Sequence, residues 1–405
     1  MRITLTALTF FYFCFCSYAQ VWEVLPKGRS VLGYRNVTTS KINSNYNQFN
    51  SENSLGVQFK VDAQILDEIP SFGGALQEVL PEHVYKELVV GEYKVDASAR
   101  FNVNGFGFGY GLTDKIMFYT EITYYKAHVE ADIIRVRGNT YDEVADYLEQ
   151  ENQNPLDATL AANLRTMVDA NERTVQSFIT NHYKYEPLGD WEGAGFGDTE
   201  TGLMIKLIDQ DVWGLMLYPG IVLPTGRVDD PDILQDIGFG DGQYDIFTEI
   251  ATGYSLNDYV SFGTTLRYTY QAPTNKELRI PSDSEFTLSE DKGDFDVKYG
   301  DKINWMFNTT FAATDWLSFT PVYRFLYQMS SDYNSSYIVA NDYLSQKSDK
   351  KEHQVQLTTS FSSINSFLKN DFFLPAQLNV NLVQTVAGKN VPKVQRFELE
   401  LRMFF

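Results

Sequence analysis

The chain has 405 residues, 26 of them tyrosine and 29 phenylalanine, and a formal net charge of −20. That acidity argues against nucleic acid and against anionic lipid head groups as direct targets. Mean hydropathy is −0.28, and no apolar run beyond the N-terminus reaches the ~18 residues of a spanning helix, which excludes a bundle of membrane helices.

At the N-terminus, Arg2 precedes an apolar stretch, 3–16, and the small residues of Ser17-Tyr18-Ala19. This is the form of an export signal cleaved after Ala19. Both cysteines, Cys14 and Cys16, fall inside it, and neither follows a lipobox. The mature chain, 20–405, is therefore expected to have no disulfide and no thiol chemistry. Export without a helical anchor leaves the periplasm, secretion or a β-barrel.

Apolar alternation recurs in segments near the ~10 residues of a tilted spanning strand. Twelve are predicted, near 28–41, 92–111, 115–136, 194–209, 211–225, 241–256, 258–272, 296–314, 316–330, 349–363, 374–388 and 394–405. In the second, Lys94, Asp96, Ser98, Arg100, Asn102 and Asn104 alternate with Val95, Ala97, Ala99, Phe101 and Val103. Strand period two puts the polar set on one face, here assigned to a barrel lumen, and the apolar set on the other.

The connections differ in length. Short links fall at 111–114, 208–211, 255–258 and 313–315, long ones at 42–91, 137–193, 226–240, 273–295 and 331–348. Asn, Asp and Gly suit the tight turns. With short turns periplasmic and long loops external, an even strand count places both termini in the periplasm. The last pair departs from this rule, since 364–373 is long and 388–393 short.

The two largest loops, 42–91 and 137–193, carry helix signals. Pro81 can open a helix through Leu88, after Ala75, Leu76, Val79 and Leu80. Thr140-Tyr141-Asp142-Glu143 reads as a capping box. After Asn154-Pro155, residues Leu156, Leu160, Leu164, Met167 and Val168 fall at helical spacing. Such a stripe is either the inner packing of a loop cap or a landing surface for apolar solutes.

The last ten residues alternate strictly. Phe397, Leu399, Leu401, Met403 and Phe405 share one face, and Arg396, Glu398, Glu400 and Arg402 the other. In a soluble sandwich the charged face meets water; in a barrel it lines the lumen. A terminal aromatic resembles the signal that barrel-assembly machinery reads, so Phe405 is the expected contact with it. The fold class expected is all-β, a transmembrane antiparallel β-barrel of about twelve strands with helical extracellular loops.

The same parity predicts the lumen-lining charges. The acids are Asp96, Glu121, Asp198, Glu200, Asp245, Glu249, Glu352, Glu398 and Glu400. The bases are Lys94, Arg100, Lys206, Arg267, Lys298, Lys302, Arg324, Arg396 and Arg402. Nine oppose nine, so the charges can pair along and across strands. A twelve-stranded barrel is narrower than open porins, and a constricted interior is expected, filled by 20–27 or part of 42–91.

Catalytic signals are weak. His83, His128, His182 and His353 lack metal-ligand spacing. Glu398 and Glu400 are flanked by arginines, which favours a salt-bridge ladder over an acid–base pair. The acids of 229–241 lack the ordered ligands of a calcium loop, and a solvated acidic loop is the simpler reading. No enzyme, cofactor or metal is expected. A histidine beside a serine or carboxylate on the outer wall would point instead to a hydrolase.

Three blocks carry a resemblance: Phe108-Gly109-Tyr110-Gly111-Leu112-Thr113-Asp114-Lys115; Gly195-Phe196-Gly197-Asp198-Thr199; and Pro219-Gly220-Ile221-Val222-Leu223-Pro224-Thr225-Gly226 with Gly240-Asp241-Gly242. Together they resemble the "MetA-pathway of phenol degradation" barrel transporters, distant relatives of hydrocarbon and long-chain fatty-acid channels. The match covers roughly 92–272. It implies an outer-membrane channel for passive uptake of small hydrophobic or aromatic compounds, with outer-membrane lipid and that solute as its partners. The alternative is a structural or surface-interaction barrel with a closed lumen and acidic loops. For the glycines themselves, barrel shaping is a simpler role than substrate contact.

Overall fold

The computed structural model describes residues 23–67, 77–78, 80–151, 157–166, 171–282 and 288–405. The export signal and the helix residues Ala75, Leu76, Val79, Leu156, Met167 and Val168 lie outside them. Twelve strands form a closed antiparallel barrel. They are β1 Ser30–Thr39, β2 Val89–Thr113, β3 Ile116–Arg137, β4 Thr199–Asp209, β5 Trp213–Leu223, β6 Asp245–Asn257, β7 Val260–Gln271, β8 Lys302–Thr314, β9 Leu317–Gln328, β10 Lys350–Ser362, β11 Ala376–Lys389 and β12 Gln395–Phe404. Each pairs with its neighbours in sequence, and β12 closes on β1 in register from Val31–Phe404 to Thr39–Arg396.

The tight turns share a recipe. Oγ1 of Thr113 accepts from the N–H groups of Lys115 and Ile116, and Oγ1 of Thr314 from those of Trp316 and Leu317. Oδ1 of Asn257 does the same for Tyr259 and Val260. These side chains stand in for backbone acceptors where the ladder stops.

β2 and β3 are 25 and 22 residues long, twice what spans a bilayer. Their lower halves show the barrel pattern. Phe106 and Phe108 point out, 51% and 38% exposed, and Gly105, Gly107 and Gly109 alternate with them. In their upper halves the same parity stays inward and the polarity of the two faces inverts. Val95, Ala97, Ala99, Phe101 and Val103 turn inward into one apolar cluster with Leu66, Leu88, Leu148 and Leu164 from the two large loops. The loops thus fold into the mouth of the barrel, and the paired strands form a collar around them.

The structure corrects four sequence expectations, three of them through this inversion. Lys94, Asp96 and Arg100 lie on the outer face of the collar, opposite the buried set. Lys298 belongs to no barrel strand; it ends the strand Lys292–Lys298 of a separate three-stranded sheet. Period two sorts residues into faces but does not say which face is inside. Where the outer wall meets water, the polar face turns outward.

Among the described residues, five short α-helices occupy the two largest loops: α1 Ala63–Asp67, α2 Glu82–Lys86, α3 Tyr141–Glu151, α4 Asp157–Thr166 and α5 Glu172–Ser177. The capping box expected at Thr140 is replaced by a tie to the collar: its Oγ1 accepts from the N–H of Val89 at 2.9 Å. The N–H of Tyr141 is met instead by Asn139 Oδ1.

Candidate functional site: the barrel interior

Alternation along the twelve strands directs one residue set into the barrel, and this set divides into two unlike walls. The wall of β10–β12 and β1 is polar. Glu398 sits at its centre, receiving Arg35 Nη2 at 2.5 Å, Arg396 Nε at 2.6 Å and Asn381 Nδ2 at 3.2 Å. Arg402 pairs with Glu400. Glu352 accepts from Gln354 and from Thr385, each at 2.7 Å. These contacts run along one strand or between adjacent strands, and they are of the kind that makes a buried charge tolerable.

The wall of β3–β6 is apolar towards the end with the tight turns. Met117, Tyr119, Met204, Met216, Tyr218, Phe247 and Ala251 cluster there with Val31. Val24 and Leu25 pack on the cluster from the N-terminal segment. That segment is held by Gly28 N–H donating to Gly111 O at 2.8 Å. A Cβ on Gly111 would come within 2.1 Å of the Pro26 carbonyl, so this signature glycine admits the segment to the barrel mouth.

One contact reaches between strands that are not neighbours. Arg267 on β7 forks onto Glu200 on β4 at 2.7 and 3.1 Å. The Tyr119 hydroxyl donates to the same carboxylate at 2.9 Å, and the Arg267 guanidinium lies 3.5 Å from the Phe247 ring centroid. A second such pair joins Lys302 on β8 to Asp245 on β6 at 3.4 Å. Gln271 donates to Asp245 at 3.2 Å and accepts from Gln328 at 3.1 Å.

The structure therefore places Glu121, Glu200, Lys206, Asp245, Glu249, Arg267, Lys302, Arg324, Arg396, Glu398, Glu400 and Arg402 on interior positions of the strands. Arg35, 4% exposed, was missed by the sequence reading. Its strand carries Val31 and Val37 on the same face and Asn36 and Thr38 on the other, so alternation alone misassigns it. Leu164 is buried and Leu160 packs against the collar cluster; both serve as internal packing of the loop cap.

Two of the three signature blocks meet at Asp198. Its carboxylate accepts from the N–H of Gly226 at 2.8 Å and of Asp241 at 3.3 Å. A Cβ on Gly240 would come 2.4 Å from Asp198 Oδ1, and one on Gly226 2.8 Å from the Gly240 Cα. The glycines let the loop 224–244 double back and bring Phe239 onto Tyr125, stacked at 5.2 Å and 6°. The acids of this loop pair with cations of the chain. Asp236 takes Arg227, and Asp232 takes Arg279 at 2.5 Å and Lys292 at 2.9 Å. Burial opposes the charge of Asp232, but Lys292 and Arg279 more than offset it and hold its carboxyl below the usual range.

Among the described residues, no group of three or more His, Cys, Asp or Glu side chains is arranged to hold a metal ion. On the outer wall of the collar, His128 Nδ1 lies 3.2 Å from Glu192 and Nε2 3.7 Å from Glu130. Ser98 donates to Glu130, which Lys41 also holds. The serine proton thus goes to a carboxylate and not to the imidazole, and the group is an ion cluster without an activated nucleophile.

No protein-family model and no curated protein matches the chain. Among solved structures, an outer-membrane channel from Pseudomonas putida F1 superposes with a TM-score of 0.54 at 12% identity, over 95% of this chain and 98% of that one. The toluene transporter TbuX of Ralstonia pickettii gives 0.36 at 9% identity, over 100% and 94%. The monoaromatic hydrocarbon channel CymD gives 0.34 at 8%, over 100% and 94%. The last two overlap too loosely to bear on the argument. These neighbours are channels, not enzymes. The likeness to the Pseudomonas channel extends over nearly both chains and shows the fold: this chain is built, like that one, as a closed antiparallel barrel, here of twelve strands.

Proposed function

We propose that the protein is an outer-membrane channel for passive uptake of small hydrophobic or aromatic compounds. In this reading the outward apolar band meets lipid, the tight turns and both termini are periplasmic, and the collar and its loops are extracellular. Phe405, at the end of the seam strand, is the contact for the barrel-assembly machinery. The predicted interior charges line the lumen. The carrying observation is the pair of unlike interior walls. Along β8 to β11, Asn304 Nδ2 and Oδ1, Arg324 Nε, Ser360 Oγ and Asn379 Nδ2 are buried without a protein partner. Buried polar atoms need a partner, and lumen water or solute can supply it. Opposite them stands a buried cluster of methionine and aromatic side chains, covered in part by Val24 and Leu25, whose chemistry suits apolar solutes. The interior charges are largely paired, so nothing favours one sign of ion.

The test is flux into proteoliposomes. The protein should speed entry of several small aromatics over empty liposomes and leave a charged solute unaffected. Deletion of 141–166 should keep the heat-modifiable barrel and change aromatic flux, because helices α3 and α4 cap the mouth. Aromatic flux equal to that of empty liposomes, with the barrel intact, would leave the closed structural barrel as the better account.

A further inference from the structure

The connection between β10 and β11 stands apart from the other turns at its end of the barrel. It runs from 363 to 375 and holds a short helix, α6 Ile364–Leu368, with no buried residue. Leu368 and Phe373 are 71% and 82% exposed, and Phe367 and Phe372 are exposed too. So much apolar surface at one turn marks a contact with something apolar. The turn folds back along the outer wall and borders an open notch of about 360 Å³. Trp316, Phe361, Phe372, Ala376, Leu378 and Leu401 line it. Its volume falls within the ~300–1,000 Å³ of typical small-molecule pockets.

Two features identify the occupant. First, the notch is continuous with the outward apolar band: Phe361, Leu378 and Leu401 are wall residues of β10, β11 and β12. Second, its edge is polar and charged. Ser363 Oγ donates to the Leu374 carbonyl at 2.6 Å, and Lys369 Nζ lies 3.0 Å from Asp315, both exposed, beside Trp316. An apolar slot in the lipid-facing wall with an ammonium and a carboxylate at its water-side edge matches a molecule with an acyl chain and a charged head group.

We propose that this notch is a binding site for one glycerophospholipid of the periplasmic leaflet. One acyl chain lies between Phe372 and the wall of β10–β12, and the head group lies against Lys369. The exposed phenylalanines seat the rest of the turn at the same interface. The inference rests on the outer-membrane placement given above but not on conduction.

Native mass spectrometry of barrels gently extracted from outer membranes tests it. The wild type should retain one phospholipid. Ala376→Trp, which fills the notch, and Phe372→Ser, which opens it, should each retain about tenfold less, equivalent to ~1.4 kcal/mol of binding. Ile246→Trp, a control elsewhere on the apolar band, should behave as the wild type. Heat-modifiable migration reports folding, and if Ala376→Trp fails to fold, the turn variant Phe372→Ser decides. Equal retention in wild type and Phe372→Ser overturns the proposal. So does retention of lipopolysaccharide in place of phospholipid, which would put the notch in the other leaflet. A barrel that keeps its phospholipid but passes no aromatic solute would refute the channel reading and leave this site standing.

Discussion

The hairpin of β2 and β3 contains two regions with the same alternation and opposite polarity of its two faces. In its lower half Phe106, Phe108 and Tyr110 point outward and glycines point in. In its upper half Phe101 and Val103 point inward, and Lys94, Asp96 and Arg100 point out. Nothing in the backbone changes between them. In the proposed placement, what changes is the surrounding: lipid outside the lower half, water outside the upper half, with loop helices filling the space within. Apolar side chains go wherever water is absent, and in one strand that is first one face and then the other.

Substitutions that distinguish the two halves test this contrast. The largest effect is expected inside the collar. Phe101→Ala should cost about 3–5 kcal/mol, as for other buried aromatics. The damage should be local: the loop 138–190 becomes protease-sensitive while the barrel still shows heat-modifiable migration. If the barrel unfolds together with the loop, the collar is not a separate layer.

On the lipid-facing band, Leu399→Arg should block assembly, since an arginine near the midplane costs ~2–4 kcal/mol. The interior Glu400→Gln should assemble, and Lys94→Leu, on the outer face of the collar, should shift stability by no more than ~0.5 kcal/mol. Equal behaviour of Leu399→Arg and Glu400→Gln would mean that the facing is misassigned. A marked gain in stability from Lys94→Leu would place lipid around the collar.

Smaller effects belong to the loop 224–244, which belongs to neither half. Asp198→Ala leaves the N–H groups of Gly226 and Asp241 without their acceptor, at a cost of about 1–3 kcal/mol. Faster hydrogen exchange at those two amides is the expected readout, and unchanged exchange would deny Asp198 its anchoring role. The smallest effect is the pH response of Asp232. Its carboxyl is held below the usual range by Lys292 and Arg279 against the effect of burial. Its contribution is therefore present above the unperturbed value of ~3.9 and is lost as pH falls through the lower folded value. Protease resistance of the loop should hold from pH 7 to 5 and decline only below about pH 4. Loosening at pH 6 would show that another group governs it.

The membrane-level part of the fold was legible because one rule covers it. A strand between lipid and lumen must alternate, and the ten residues ending at Phe405 do so without exception. The same rule misled at Lys94, Asp96 and Arg100, where the strands leave the bilayer, and it hid Arg35 behind an inward valine pair. The meeting of Gly226, Gly240 and Asp198 was invisible for another reason. The glycines signalled close backbone approach, but which backbone approaches is a matter of tertiary path. The stripe of Leu160 and Leu164 showed correctly that a helix has an apolar side and could not show what covers it.

The seam between β1 and β12 has a consequence for how the molecule is made. Residue 31 pairs with residue 404, and Ser30 and Phe405 exchange backbone hydrogen bonds at 3.0 and 2.8 Å. Until the last residue is available, every partial chain has two open strand edges, each a template for pairing with another molecule. A contact this distant in sequence also forms slowly. The ring can thus close only once β12 has been made, and until then the open edges must be kept from pairing with other copies of the chain.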